Sequence, residues 1–283
     1  MDASLFFLLN MGYGVLTLAL VALGLAVIFG LLGVMNMAHG EFIAMGAYSA
    51  YAAQSAGLPL FVSLPAAALV TGAVGWLIEA TVVRHLYKRP FDTLLATWGI
   101  SILLREGIKL AFGVDYKSVV EPVSGSTGVL GIDYPNYRIA VMAALLVCFF
   151  LLFLWYRKSH ASARVRAMIA NPELAAIVGI NTKRLASLAF VIGAASAGIA
   201  GAMLAPLVQI EPYMGINYLL QSFFVLVVGG LGSFHGLFIG SGVIGGVAST
   251  ASAAFGGTGG YVTLLLISIL FLWLKPEGLY AGR

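Results

Sequence analysis

Residues 157–184 read RKSHASARVRAMIANPELAAIVGINTKR, the longest polar interval in a chain that otherwise passes from one apolar stretch to the next. The interval holds six of the fifteen Lys and Arg residues (Arg157, Lys158, Arg164, Arg166, Lys183, Arg184) against a single acid, Glu173. By the positive-inside rule a short loop with that bias stays in the cytoplasm, so it sets the direction of every apolar segment around it. Inside the loop a small helix has its start and stop written in. Asn171 is a good N-cap, Pro172 suits the first helical position, Glu173 favours the positive end of the helix dipole, and Gly179 offers the stop. Leu174, Ile177 and Val178 fall at i, i+3 and i+4, which puts three apolar side chains on one face of a helix about two turns long. Such a helix is marginal alone in water. It wants a groove to lie in, and a partner protein is one supplier; a membrane-surface helix or a plain loop fits the same pattern.

Hydrophobic residues make up 61% of the 283 positions and charged residues 9%, where a soluble domain carries about 25% charged residues, so the chain reads as an integral membrane protein in contact with a lipid bilayer. The net charge of +4 carries no nucleic-acid signal, because the basic residues sit in loops between apolar segments, where orientation explains them. One cysteine, Cys148, lies in the run MAALLVCFFLLFLW and reads as lipid-facing or core packing, with no intrachain disulfide and no metal cluster. The N-terminus MDASLFFLLNMGYG lacks the basic region of a signal peptide, so the first apolar run is expected to stay in the mature protein.

A crossing needs about 20 apolar residues. On that ruler up to nine segments appear, near 11–34, 39–56, 60–83, 93–112, 137–156, 185–207, 218–232, 235–254 and 261–275. The second, seventh and ninth are short or soft, which leaves eight open if one is re-entrant or broken. The expected fold is all-α: one polytopic transmembrane helical bundle over residues 1–283 with eight or nine spans. Anchoring 157–184 inside also puts the loop at 84–92 and residues 276–283 inside, with the N-terminus out and the C-terminus in. Eleven of the fifteen basic residues then lie inside, Lys117 and Arg138 lie outside, and Arg105 and Lys109 fall within a span. The segment at 113–136, rich in Gly, Ser and Pro, reads as irregular structure on the outer face.

The fourth segment departs from the pattern, because Arg105, Glu106 and Lys109 fall in its second half. Charges at such a depth snorkel to the interface or face a polar pathway and pair with something. Glu79 and Arg84 at i, i+5 read as an interfacial pair. GAASAGIAGA (193–202) and GLFIGSGVIGG (236–246) hold overlapping small-xxx-small spacings, including Gly236 with Gly240 and Gly242 with Gly246, which argue for backbone-to-backbone helix packing. A faint internal echo links GVMNMAHGEFIAMG (33–46) with GGLGSFHGLFIGSG (229–242), both placed at an inner membrane boundary by this topology.

No Lys follows a Gly anywhere, so a P-loop for ATP is missing. His39 and Glu41 lack the further ligands of a zinc site, no Gly-x-Ser-x-Gly elbow occurs, and acids do not line the middle of several spans as ion coupling would require. The chain therefore reads as a non-enzyme whose energy comes from elsewhere. Polar residues at bilayer depth tend to mark routes or packing contacts, which makes Asn36, His39, Thr97, Ser101 and Gln221 the candidates to line a substrate pathway. An ion-coupled secondary transporter and a membrane scaffold stay open as alternatives to an ATP-driven permease.

The stretches GVMNMAHGEFIAMGAY, HLYKRPFDTLLATWGISILL, RAMIANPELAAIVGINTKRLASLAFVIGAASAGIAG, VLVVGGLGSFHG and LKPEGLYAGR together resemble the permeases of bacterial ABC importers for branched-chain amino acids, urea and short-chain amides. The resemblance covers nearly the whole chain and is to the member of the permease pair with the short N-terminus. It implies a multi-pass protein of the bacterial inner membrane, a second permease as heterodimer partner, ABC ATPase subunits that bind the ATP, and a periplasmic solute-binding protein, with no cofactor of its own. It also places the coupling to the ATPase at Asn171, Pro172, Glu173, Leu174, Ala176, Ile177, Val178 and Gly179. RPFDTLLATWGIS looks more like the urea and amide permeases, so urea or a short-chain amide is the first expected solute and a branched-chain amino acid the alternative.

Overall fold

The computed structural model describes residues 2–129, 131–230, 233–275 and 278–279, so most of the C-terminal segment expected inside, and residues 231–232 of the second echo copy, lie outside the described residues. The chain folds as a helical bundle of α1 (Asp2–Leu32), α2 (His39–Ser55), α3 (Leu60–Thr81), α4 (Pro90–Phe112), α5 (Asn136–Lys158), α6 (His160–Ala170), α7 (Pro172–Ile177), α8 (Thr182–Leu204), α9 (Met214–Gly229) and α10 (Phe234–Leu274). Each of the nine expected apolar segments overlaps a helix over its described residues, the last two joined in α10. Five stretches among the described residues are long and apolar enough to cross a membrane: Ser4–Leu32, Leu60–His85, Asn136–Lys158, Thr182–Leu207 and His235–Leu274. This is an all-α membrane bundle.

Several features differ from the sequence reading. The 113–136 segment is not wholly irregular: β1 (Ser126–Val129) and β2 (Ile132–Pro135) form an antiparallel hairpin with Ser126 opposite Pro135. Asn136 secures it by accepting from Thr127 Oγ1 and donating to the Ser124 carbonyl. The polar interval holds a second helix, α6, capped by Ser159, whose hydroxyl accepts from the Ala161 amide. In α10 the expected break is one residue, Gly256, whose non-helical backbone at φ 77° separates two helical arms at a kink.

The helices pack as closely as their small residues allow. α8 lies between α1, α2 and α3, and buries Ala189, Gly193, Ala194, Ala197, Gly198 and Gly201. A Cβ on Gly46 would fall on the Gly198 carbonyl, and one on Gly201 on the Ile43 carbonyl, so α2 and α8 touch backbone to backbone. Gly236 and Gly240 close on Gly229 and Val225 in the same way, joining α10 to α9. The expected Gly242 and Gly246 face does not take part, since both look into open space within this subunit.

The start of α2 determines the interior. His39 Nε2 lies 2.9 Å from the Val21 carbonyl, eleven residues before the end of α1 and near its middle. Residues 33–38 therefore run back along α1, and α2 begins deep in the bundle rather than at the inner boundary expected from the sequence. In both echo copies the His-Gly pair opens a helix, α2 at His39 and α10 beside its Ser233 cap. At about 1.5 Å per residue, α2 and α9 each span roughly 25 Å, short of a full crossing of about 30 Å.

Candidate functional site

Three arrangements carry the chemistry. The first is the tip formed by α7. Asn171 Oδ1 accepts from the amides of Glu173 and Leu174, both at 3.0 Å, Pro172 opens the helix, and Gly179 adopts φ 86° at its end. These are the start and stop signals of the sequence, in place. Ala175 is buried against the loop while Leu174, Ile177 and Val178 are 59%, 79% and 74% exposed, so the apolar face is presented outward. Ala176 and Glu173 are also exposed. A cleft of about 610 Å³ opens beside this tip, lined by Val178, Asn181, Leu185, Arg164 and Arg184 among others.

The second is a polar cluster around the start of α2, which brings together four of the five pathway candidates. Asn36 Oδ1 accepts from the Ala38 amide at 3.0 Å, and Thr97 Oγ1 accepts from the Met37 amide at 3.1 Å. Ser101 donates to Glu41 Oε1 at 3.0 Å, and Arg105 Nη2 meets the same oxygen at 2.5 Å. Asn36, His39, Thr97 and Ser101 are all buried. Glu41 and Arg105 are residues that the sequence reading missed as a pair; both were noticed, but 64 positions and different expected depths separate them. Beyond Arg105 the network continues outward: Arg105 lies 5.6 Å from the ring centre of Tyr213, and Lys109 donates to the Tyr213 hydroxyl at 2.7 Å and pairs with Glu106. The charges of α4 thus pair with partners on α2, on α4 itself and before α9, as the alternative to snorkelling required.

A separate buried carboxylate, Glu79, joins α3 to α8. Its oxygens accept from Arg84 at 3.0 Å, Ser187 at 2.8 Å and Tyr87 at 2.9 Å, so the expected Glu79 and Arg84 pair is present with two further partners. Burial first, and the Glu79 carboxylate second, hold the Tyr87 hydroxyl protonated well above the ordinary phenol range.

The third arrangement is a cavity of about 280 Å³ between α1, the end of α8, α9 and α10. The fifth pathway candidate, Gln221, lines it, with Tyr218 from the same helix, Thr17 from α1, and Ser249 and Ser252 from α10. Tyr13 and Tyr261 also line it, and apolar side chains including Leu18, Val21, Leu204 and Leu264, with several glycines, make the rest of the wall. Cys148 lies elsewhere, exposed on α5.

A family model described as "Branched-chain amino acid transport system / permease component" matches residues 7–274. The chain belongs to this family. Among curated relatives, this permease-family chain is 31% identical to the "High-affinity branched-chain amino acid transport system permease protein LivH" of Salmonella typhimurium, over 97% of this chain and 96% of that one. It is 27% identical to the corresponding protein LivM of Escherichia coli, over 76% of this chain and 56% of LivM. Among solved structures, "PsaBC from Streptococcus pneumoniae in complex with Fab" superposes with a TM-score of 0.55 over 97% of this chain and 94% of that chain, at 13% identity. That likeness concerns the fold.

Proposed function

We propose that the chain is a permease subunit of an ATP-driven importer of branched-chain amino acids, embedded in the bacterial inner membrane. The observation that carries the reading is the near-complete alignment with LivH, whose name specifies branched-chain amino acids. This reverses the order of solutes expected from RPFDTLLATWGIS, which put urea and short-chain amides first. The motif runs into α4, where Phe91, Leu95 and Trp98 face outward while Thr93, Thr97 and Ser101 are buried, so it mixes an outward surface with part of the buried polar cluster.

In this reading α7 is the coupling element. Its exposed Leu174, Ile177 and Val178 enter a groove on an ATPase subunit, which binds the ATP, and 157–184 is the cytoplasmic coupling loop of a single transmembrane domain. A LivM-like chain is the second permease of a heterodimer, and a periplasmic binding protein delivers the solute. The N-terminus faces out and the C-terminus in, which takes an odd number of crossings, nine when the short α9 and both arms of α10 are each counted; if one of these is re-entrant, eight remain and the C-terminus falls outside. Gln221 lines the pathway; Asn36, His39, Thr97 and Ser101 anchor the deep start of α2 beside it. The test is uptake by the reconstituted importer with its cognate binding protein. Leucine uptake competed by isoleucine and valine but not by urea or acetamide is expected. Uptake of urea with no leucine uptake would overturn the assignment.

A further inference from the structure

We infer that the cavity between α1, α9 and α10 is a resting site for the transported solute, built for a small zwitterion with a branched aliphatic side chain. The inference rests on the importer reading above and assigns that function a place. The volume of about 280 Å³ lies just below the roughly 300–1,000 Å³ range of drug-sized ligands, so it suits a solute the size of an amino acid. Its lining divides into two parts. Leu18, Val21, Leu204 and Leu264 offer apolar wall to an aliphatic side chain, while Tyr218, Gln221, Ser249 and Ser252 offer hydroxyl and amide groups to a polar head. The side chains of Gln221, Ser249 and Ser252 make no hydrogen bond among the described residues, so their donors and acceptors are available to a guest.

Among the described residues no Lys, Arg, Asp or Glu lines the cavity. A zwitterion brings both charges with it and needs hydrogen bonds at each, whereas a singly charged solute would be stranded without a counter-charge. The absence of a fixed charge also keeps the site weak, as a transport intermediate requires, because a solute that enters has to leave again. The kink in α10 adds to this match. Gly256 interrupts the helical dihedrals between Ser252 on one arm and Gly257 and Gly260 on the other, all three lining the cavity. The end of the first arm favours an ammonium group and the start of the second a carboxylate, the use transporters make of discontinuous helices.

The experiment uses the reconstituted importer carrying Cys148→Ser and Ser249→Cys, with alkylation of the new thiol by N-ethylmaleimide as the readout, and Ser252→Cys as a second reporter. With leucine at ten times its half-protecting concentration, simple occupancy slows labelling roughly tenfold. Urea and isobutyramide, a neutral amide with a branched tail but no zwitterionic head, should not protect. Independently, Ala248→Phe, which fills the cavity, should reduce leucine uptake severalfold at unchanged membrane abundance. Labelling that leucine leaves unchanged at both positions, in a complex that still takes up leucine, would overturn the resting site while leaving the importer reading intact. Failure of the unsubstituted complex to take up leucine would remove both.

Discussion

Arg105→Met tests how the interior is held together. Arg105 is 15% exposed and Glu41 2%, so the substitution leaves a carboxylate inside the bundle with the Ser101 hydroxyl as its remaining partner. Removing one member of a buried ion pair costs about 3–5 kcal/mol, because the other charge is left uncompensated. Much of α4 points outward, with Phe91, Leu103 and Leu110 at 83%, 72% and 90% exposure, and its inward attachments are Thr97, buried Ile108, Phe112 against Tyr48, and the Glu41, Arg105 and Tyr213 network. At about 3 °C per kcal/mol for a chain of this order of size, the unfolding midpoint of the purified permease in lipid nanodiscs should fall by on the order of 10 °C. Adding Glu41→Gln removes the stranded charge, and the double variant should regain most of the loss, since neutral replacement of both partners is far less costly than breaking the pair. Salt should hardly alter either result, because a dry pair is poorly screened. A fall of less than about 2 °C for the single variant, or a double variant no better than the single, would refute the reasoning.

Ile177→Asp should leave membrane insertion and abundance unchanged but abolish solute-stimulated ATP hydrolysis, since a charge in an apolar groove costs several kcal/mol; Lys183→Gln, outside the helix, should have little effect in the same assay. Asn171→Ala removes the acceptor of two backbone amides and should cost about 1 kcal/mol of local helix stability, measured as faster amide hydrogen exchange at residues 173–175. Gly198→Leu should prevent stable accumulation on an immunoblot of the membrane fraction, because a Cβ at Gly198 already meets the Thr71 side chain and the Ala67 carbonyl, whereas Gly242→Ala, facing open space, should accumulate normally. Glu79→Gln keeps neutral partners for Tyr87 and Ser187 but loses the charge opposite Arg84, and about 1–3 kcal/mol of stability is expected to go with it, read as a lowered unfolding midpoint.

The parts of this molecule that were legible in the sequence are those governed by local rules. The α7 start and stop depend on Asn171, Pro172 and Gly179 alone, and apolar length marks a helix wherever it occurs. Glycine spacing revealed that helices touch, though not which faces: Gly236 and Gly240 pack, while the identically spaced Gly242 and Gly246 do not, because a spacing rule contains no information about the neighbour. The Glu41 and Arg105 pair was hidden for a more specific reason. Counting crossings assumes that every loop sits at a membrane face, which put Glu41 at the inner boundary and Arg105 in the outer half of its span. Residues 33–38 break that assumption by running back along α1 until His39 reaches Val21, and the shift brings Glu41 level with Ser101 and Arg105. Glu41 and Arg105 could still have been matched as opposite charges within apolar segments, since a charge at that depth requires a partner. Such a match would have predicted the deep start of α2 from electrostatics, because no inner-boundary placement of Glu41 allows the pair to form.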